Sequence, residues 1–101
     1  MEVKGVTLEE DGVVRFPDAP TLRGVKHLQE LEEARRAGYR TAVCFVIQME
    51  NVSWFEPNDR THPAFGAALR YAAEAGVEVL AMECRVTPEE LLPGRPVPVR
   101  L

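Results

Sequence analysis

Polar and apolar positions alternate at the start of the chain, which is the pattern of a strand with one polar face. The alternation runs from Met1 to Leu8 and places Glu2 and Lys4 on the same face. A second apolar run covers residues 13–16, after turn-forming residues at 10–12. The sequence therefore predicts an N-terminal hairpin.

Two later segments have the 3.6-residue period of amphipathic helices, and each has recognisable ends. Thr21 is a good N-cap for the first helix, and Gly38 marks its end in a position that favours a left-handed backbone. Pro63 suits the first turn of the second helix, and Gly76 ends it. The pattern predicts helices from about residue 22 and from Pro63.

The unbroken apolar run at 42–47, between the two helices, predicts a central parallel strand that is buried on both faces, and residues 77–82, after the second helix, predict another strand. Residues 49–62 have loop composition, a short helix is expected to begin at Thr87, and the proline-rich tail 93–101 is expected along the surface or a sheet edge. The predicted fold class is α/β, with a mixed central sheet and flanking helices, the hairpin making the sheet mixed.

The composition is that of one globular domain of 101 residues, with 46% hydrophobic and 28% charged residues. No apolar run approaches the length of a membrane span and no secretory signal is visible, so a cytoplasmic location is expected. Cys44 and Cys84 lie within apolar runs and are predicted to be buried reduced thiols in neighbouring strands.

The charge is acidic throughout, with a formal net charge of −4. The first fifty residues hold seven Lys and Arg against nine Asp and Glu, and the remainder hold five against seven. Proteins that bind nucleic acid through phosphate contacts usually have a basic face. Strong DNA binding by this chain alone is therefore not expected.

Glu2 and Lys4 form an E-x-K tripeptide, a spacing that suits metal-assisted phosphodiester hydrolysis. A carboxylate can hold Mg²⁺, while a neighbouring ammonium can steer the attacking water or offset charge on the phosphate. The alternative is a solvated pair of charges on a strand. Asp18, between two prolines, is a candidate second metal ligand or a residue that stabilises a turn.

Four further residues are candidate nucleic-acid contacts. Arg23 and Lys26 are three apart on the first predicted helix and would share a face, either for phosphate contacts or simply as a solvated surface. His27 follows them, as a contact, a base or a structural histidine. Gln48 ends an apolar strand, where ligands of α/β sheets often bind, or else caps the sheet.

Seven segments together resemble the sugar fermentation stimulation protein family. They are E-V-K-G-V-T-L at 2–8, F-P-D-A-P-T at 16–21, R-G at 23–24, H-L at 27–28, F-V-I-Q at 45–48, F-x-P-N at 55–58 and G-V-E-V at 76–79. The resemblance implies a PD-(D/E)xK, restriction-endonuclease-like domain that follows an OB-like domain. It also implies DNA binding and a link to the regulation of sugar, especially maltose, utilisation.

The family pattern has an aspartate on a strand before E-x-K, whereas this sequence begins one residue before Glu2. The expectation is one C-terminal domain over residues 1–101, truncated at its N-terminus and inactive alone, with Mg²⁺-dependent hydrolysis in the full-length protein. The alternatives are a non-catalytic DNA-binding regulator or a protein-interaction module.

Two geometric expectations follow. Glu2 and Lys4 should lie near the C-terminal end of the strand at 42–48. The outer edge of their own strand should lack a partner, and unpaired edges recruit other strands. A homodimer through that edge, or through the apolar face left uncovered beside it, is therefore expected. The alternative is that the tail from Pro93 to Leu101 folds back and covers the edge.

Overall fold

The structure is a computed structural model that describes residues 2–6, 8–49, 51–86 and 91–101. Within these ranges it has seven strands and two helices. In chain order they are β1 (Glu2–Val6), β2 (Leu8–Glu10), β3 (Val13–Phe16), α1 (Leu22–Arg36), β4 (Ala42–Ile47), β5 (Trp54–Pro57), α2 (Pro63–Ala75), β6 (Glu78–Val86) and β7 (Leu91–Pro96). Neither described helix is long and apolar enough to cross a membrane.

The main sheet has the strand order β1-β4-β6-β7. Strands β1, β4 and β6 are parallel, while β7 is antiparallel to β6. A second sheet has the order β2-β3-β5, in which β2 pairs antiparallel with β3 and β3 pairs parallel with β5. The predicted mixed α/β class is confirmed, but β7 makes the main sheet mixed, because the N-terminal hairpin belongs to the smaller sheet.

Two predicted boundaries were wrong. The single strand expected from Met1 to Leu8 is two strands in different sheets, with Met1 and Thr7 outside the described residues. Residues 54–57, predicted within a loop, form β5, since parallel pairing with β3 places Phe55 opposite Val14 and buries both.

The C-terminal tail follows two sheet edges, as the prolines suggested. Strand β7 pairs with β6 at one edge of the main sheet. Beyond it, the Phe55 amide donates to the Pro98 carbonyl at 2.8 Å and the Arg100 amide donates to the Phe55 carbonyl at 2.8 Å, which extends the smaller sheet. The predicted helix start at 87–90 lies outside the described residues.

The helix ends agree with the sequence prediction. The hydroxyl oxygen of Thr21 accepts a hydrogen bond from the Gly24 amide at 2.9 Å and caps α1. Gly38 and Gly76 have φ angles of 102° and 105°, a left-handed backbone that glycine adopts without steric cost. Pro63 is the first residue of α2.

All four phenylalanines meet in the core and join the two sheets to α2. Phe45 of β4 stacks on Phe55 of β5 with ring centroids 4.2 Å apart, and Phe16 packs edge-on against Phe65 of α2 at 5.2 Å. Such aromatic pairs contribute about 0.5–1.5 kcal/mol each beyond the area they bury. The smaller sheet and α2 therefore pack on the same face of the main sheet as Phe45.

Both cysteines are buried free thiols on the neighbouring strands β4 and β6, as predicted. Burial raises the pKa of the Cys44 thiol, and the nearby Cys84 thiol adds to the effect. These thiols are part of the sheet packing.

Strand β1 lies at an edge of the main sheet, and among the described residues its outer side has no strand partner. The edge on which the homodimer prediction depends is therefore present in the fold. The homodimer itself stays a prediction.

Candidate active site between strand β1 and helix α1

The register of β1 places Glu2 and Lys4 on the core side of the main sheet. Glu2 lies opposite Val43 and Lys4 opposite Phe45, and both of these partners are buried. Because directly paired residues in a sheet point to the same face, the two charged side chains project towards the side that the helices cover. The prediction that they share a face is confirmed.

Their predicted level along β4 was wrong. Val6, and not Lys4, lies opposite Ile47, the last residue of β4. Glu2 and Lys4 instead lie beside the second and fourth of the six residues of β4, because the two parallel strands begin at nearly the same level. The E-x-K tripeptide therefore lies at the middle of β4 rather than at its carboxyl end.

Helix α1 brings a third functional group to this pair. Gly24 and Leu28 are the buried residues of α1, and His27 lies beside them. The Lys4 Nζ atom is 2.8 Å from His27 Nδ1 and 3.4 Å from Glu2 Oε1, and His27 Nδ1 is 3.4 Å from the same oxygen. We call Glu2, Lys4 and His27 the β1–α1 cluster.

The cluster is half-buried. The side-chain exposures are 35% for Glu2, 15% for Lys4 and 23% for His27. Charges at this depth interact more strongly than in bulk water, yet a ligand can still reach them. The site therefore combines a carboxylate, an ammonium and an imidazole whose nearest polar atoms lie within 3.4 Å of each other.

The other predicted nucleic-acid contacts are not part of the cluster. Arg23 and Lys26 are exposed on α1, with Arg23 one turn before His27. Gln48 is exposed just beyond the end of β4, three residues past the partner of Lys4. The roles assigned to Arg23, Lys26 and Gln48 in binding nucleic acid stay predictions.

Asp18 is exposed in the loop after β3. The Asn58 side-chain amide donates to the Pro17 carbonyl at 3.0 Å and holds this loop against the turn before α2. Within the described ranges, no three His, Cys, Asp or Glu side chains are placed to hold a metal ion together. Asp18 therefore does not complete a three-ligand set with Glu2 and His27.

For Mg²⁺ the cluster supplies one carboxylate. Mg²⁺ retains several waters and is commonly held by one or two carboxylates together with substrate phosphates. Glu2, with its half-exposed carboxylate, fits that requirement as a single protein ligand. The role of Asp18 as a second ligand stays a prediction.

A second ionic group, which the sequence did not predict, lies on β6. Glu83 is only 7% exposed, and its carboxylate accepts from Arg95 Nε at 3.0 Å, Arg95 Nη2 at 3.2 Å and the Val52 amide at 2.8 Å. Arg95 also donates to the Val52 carbonyl at 2.8 Å. We call Glu83, Arg95 and Val52 the Glu83 clasp.

The hydrogen bonds from Arg95 hold the pKa of the Glu83 carboxyl below its ordinary value, and the Val52 amide adds to this effect, while burial opposes it. The one signal in the sequence was a glutamate inside an apolar strand. Nothing in the sequence showed that Arg95 would lie beside it.

The fold and the cluster define a class: a mixed α/β protein that holds a carboxylate, an ammonium and an imidazole on the helix-covered side of a parallel strand pair. Residues 1–90 match the family model described as "Sugar fermentation stimulation protein RE domain". The chain belongs to the sugar fermentation stimulation protein family.

Curated relatives carry the same family name. The "Sugar fermentation stimulation protein homolog" of Desulfitobacterium hafniense (strain Y51) is 55% identical over 101 residues, which is 100% of this chain and 44% of the relative. The homolog of Clostridium acetobutylicum is 60% identical over 86 residues, which is 85% of this chain and 37% of the relative. The chain thus spans less than half the length of these relatives.

A solved structure confirms the fold. It is described as "The structure of Pyrococcus Furiosus SfsA in complex with Ca2+" and is 32% identical to this chain, with a TM-score of 0.90. The match covers 99% of this chain and 44% of that one. The mixed α/β architecture is therefore that of a known family member.

Proposed function

We propose that this chain carries the E-x-K part of a PD-(D/E)xK-type site, which hydrolyses nucleic-acid phosphodiesters with Mg²⁺ in the full-length family protein. The observation that carries the proposal is the position of the Lys4 ammonium. It lies 3.4 Å from Glu2 Oε1 and 2.8 Å from His27 Nδ1, on a half-buried surface that a ligand can reach.

The chemistry divides between the two residues of the tripeptide. Glu2 would hold Mg²⁺, and the bound ion would act as a Lewis acid on the phosphate. Lys4, a donor with no lone pair when charged, would offset negative charge on the phosphate oxygens or orient the attacking water. The spacing of the pair places both groups on one face of the strand, 3.4 Å apart, where they would act on the same phosphate.

Two further observations support the proposal. The family member of known structure is described as a Ca²⁺ complex, and Ca²⁺, like Mg²⁺, is a hard cation that takes oxygen ligands. Arg23 and Lys26 are exposed on the helix that carries His27, where they would contact backbone phosphates. Because the net charge is −4, we expect this chain alone to bind DNA weakly.

Hydrolysis is best tested at full family length. The matching segment of the Desulfitobacterium hafniense relative would be replaced by this 101-residue sequence, and cleavage of plasmid and oligonucleotide DNA measured with and without Mg²⁺. Glu2→Gln and Lys4→Met should each lower the rate by about 10²-fold or more, the order expected when a group that stabilises transition-state charge is removed.

Glu83→Gln is the matched control. It makes the same chemical change at a buried carboxylate outside the β1–α1 cluster, and the rate per folded molecule should be retained. An inactive parent protein would contradict the proposal, and so would a Glu2→Gln variant that cleaves at the parent rate.

A further inference from the structure

His27 is 23 residues from Lys4 in the sequence, yet its ring nitrogen is the nearest polar atom that the structure gives to the Lys4 ammonium. A lysine ammonium has three donors and no acceptor. A charged Lys4 therefore takes the lone pair of Nδ1 in the 2.8 Å contact, and the tautomer that fits this contact carries the ring hydrogen on Nε2. His27 acts here as an acceptor for Lys4.

We propose that His27 is a positioning residue for Lys4, an inference that rests on the proposed function. Its Nδ1 atom accepts a hydrogen bond from the ammonium and so holds Nζ beside the Glu2 carboxylate. The remaining donor capacity of Lys4 is then directed to the phosphate or to the attacking water.

Lysine needs such a partner because its charge sits at the end of a flexible four-carbon chain. Glu2 alone is a weak restraint, since its carboxylate is 35% exposed and its Oε1 atom lies 3.4 Å from Nζ. The imidazole restrains Lys4 better, because it is shorter, planar and 2.8 Å away.

The support for His27 is itself rigid. Leu28, the next residue, is 1% exposed in the core. Gly24, one turn earlier, is so close to α2 that a Cβ atom there would lie 3.1 Å from the Phe65 ring. A side chain between two packed positions of a helix holds its orientation better than one on a loop.

The arrangement also explains why His27 differs from its neighbours on α1. Arg23 and Lys26 are exposed, whereas His27 is half-buried and turned to β1. The His27 side chain therefore contacts Lys4, while the charged groups of Arg23 and Lys26 face solvent.

Three variants of the chain separate positioning from plain packing. His27→Asn keeps an acceptor, because the asparagine side-chain oxygen lies about where Nδ1 does. His27→Phe keeps a ring and removes the acceptor. Gln29→Phe places the same ring at an exposed position two residues further along α1 and serves as the control.

The first readout does not depend on activity. The ¹⁵Nζ resonance and the water-exchange rate of the Lys4 ammonium would be measured by NMR in the 101-residue chain. The parent, His27→Asn and Gln29→Phe should give a distinct, slowly exchanging signal. In His27→Phe it should move to the position of solvent-exposed lysines, and a Lys4 signal unchanged in this variant would overturn the proposal.

The second readout is the rate of DNA hydrolysis in the full-length protein described above. His27→Phe should lower kcat by on the order of 10- to 100-fold with little change in KM, as expected for a misplaced group, and His27→Asn should recover most of the loss. Equal losses in both variants would also overturn it.

The two claims fail separately. If the parent protein does not hydrolyse DNA, the proposed function is wrong. The Lys4 signal then decides alone whether His27 positions the ammonium.

Discussion

Two glutamates on the main sheet lie beside a basic side chain, and their surroundings differ. Glu83 of β6 is 7% exposed and accepts three hydrogen bonds, from Arg95 and the Val52 amide. Glu2 of β1 is 35% exposed, and its contacts with Lys4 and His27 are 3.4 Å long. One carboxylate is saturated, whereas the other still has room for a ligand.

The difference distinguishes a structural ion pair from a candidate site. Both oxygens of Glu83 are occupied, and Arg95 also binds the Val52 carbonyl, so the Glu83 clasp ties β6, β7 and the segment before β5 together. The β1–α1 cluster ties only β1 to α1 and leaves oxygens and ammonium protons available. We therefore expect the first to matter for stability and the second for chemistry.

The largest expected effect on stability is that of Glu83→Gln. The amide cannot accept from Arg95 as the carboxylate does, and the charge-assisted hydrogen bonds are lost. The free energy of unfolding should fall by about 1–3 kcal/mol. Glu2→Gln should change it by less than about 1 kcal/mol, since that carboxylate is half-exposed. Urea unfolding of the two variants measures both, and equal losses would remove the distinction between the two clusters.

Acid sensitivity should follow Glu83 and its arginine. Because the folded-state pKa of Glu83 is lowered, this carboxyl stabilises the fold above its ordinary pKa and loses that contribution as pH falls through the lowered value. Arg95→Met removes the first cause of the lowering and raises the pKa of Glu83. When the pH is lowered from about 7 to about 3, the free energy of unfolding should therefore fall more in the parent than in Arg95→Met. Urea unfolding at the two pH values measures this, and an equal fall in both proteins would show that Arg95 does not perturb the pKa of Glu83.

The smallest expected effect on stability is that of Lys4→Met. The methionine side chain keeps most of the apolar stem, and a partly exposed ion pair contributes at most about 1 kcal/mol. The melting temperature should therefore stay close to that of the parent, although hydrolysis is expected to fail. Calorimetry checks this, and a loss as large as that of Glu83→Gln would mean that Lys4 is mainly a structural residue.

Helix ends could be predicted because their signals are local. Thr21 and Pro63 begin helices, and Gly38 and Gly76 have the left-handed backbone that their positions required. Each of these choices depends on a few neighbouring residues. The sequence therefore located both helices well.

The strand that was missed depends on a distant partner. Strand β5 contains Pro57 and follows turn-forming residues, but it pairs with β3, some forty residues earlier in the chain. Local composition favoured a loop there, and tertiary pairing overrode it. The proline-rich tail was different, because its prolines already pointed to a sheet edge, where β7 pairs with β6.

Only part of the candidate site could be predicted from the sequence. Strand alternation was enough to put Glu2 and Lys4 on one face. The contact with His27 depends on how α1 is rotated over β1, which the packing of Gly24 and Leu28 decides. The 3.6-residue period shows which face of a helix is buried but not which strand it meets.

The central claim is that the β1–α1 cluster, and not the Glu83 clasp, takes a divalent cation. Mn²⁺ is a paramagnetic substitute for Mg²⁺ and broadens NMR signals near its binding site even when binding is weak. The chain would be titrated with Mn²⁺ as the parent, Glu2→Gln and Glu83→Gln. The account predicts broadening of the β1 and His27 signals in the parent and in Glu83→Gln, and none there in Glu2→Gln. Broadening that persists in Glu2→Gln, or that centres on Glu83 in the parent, would contradict it.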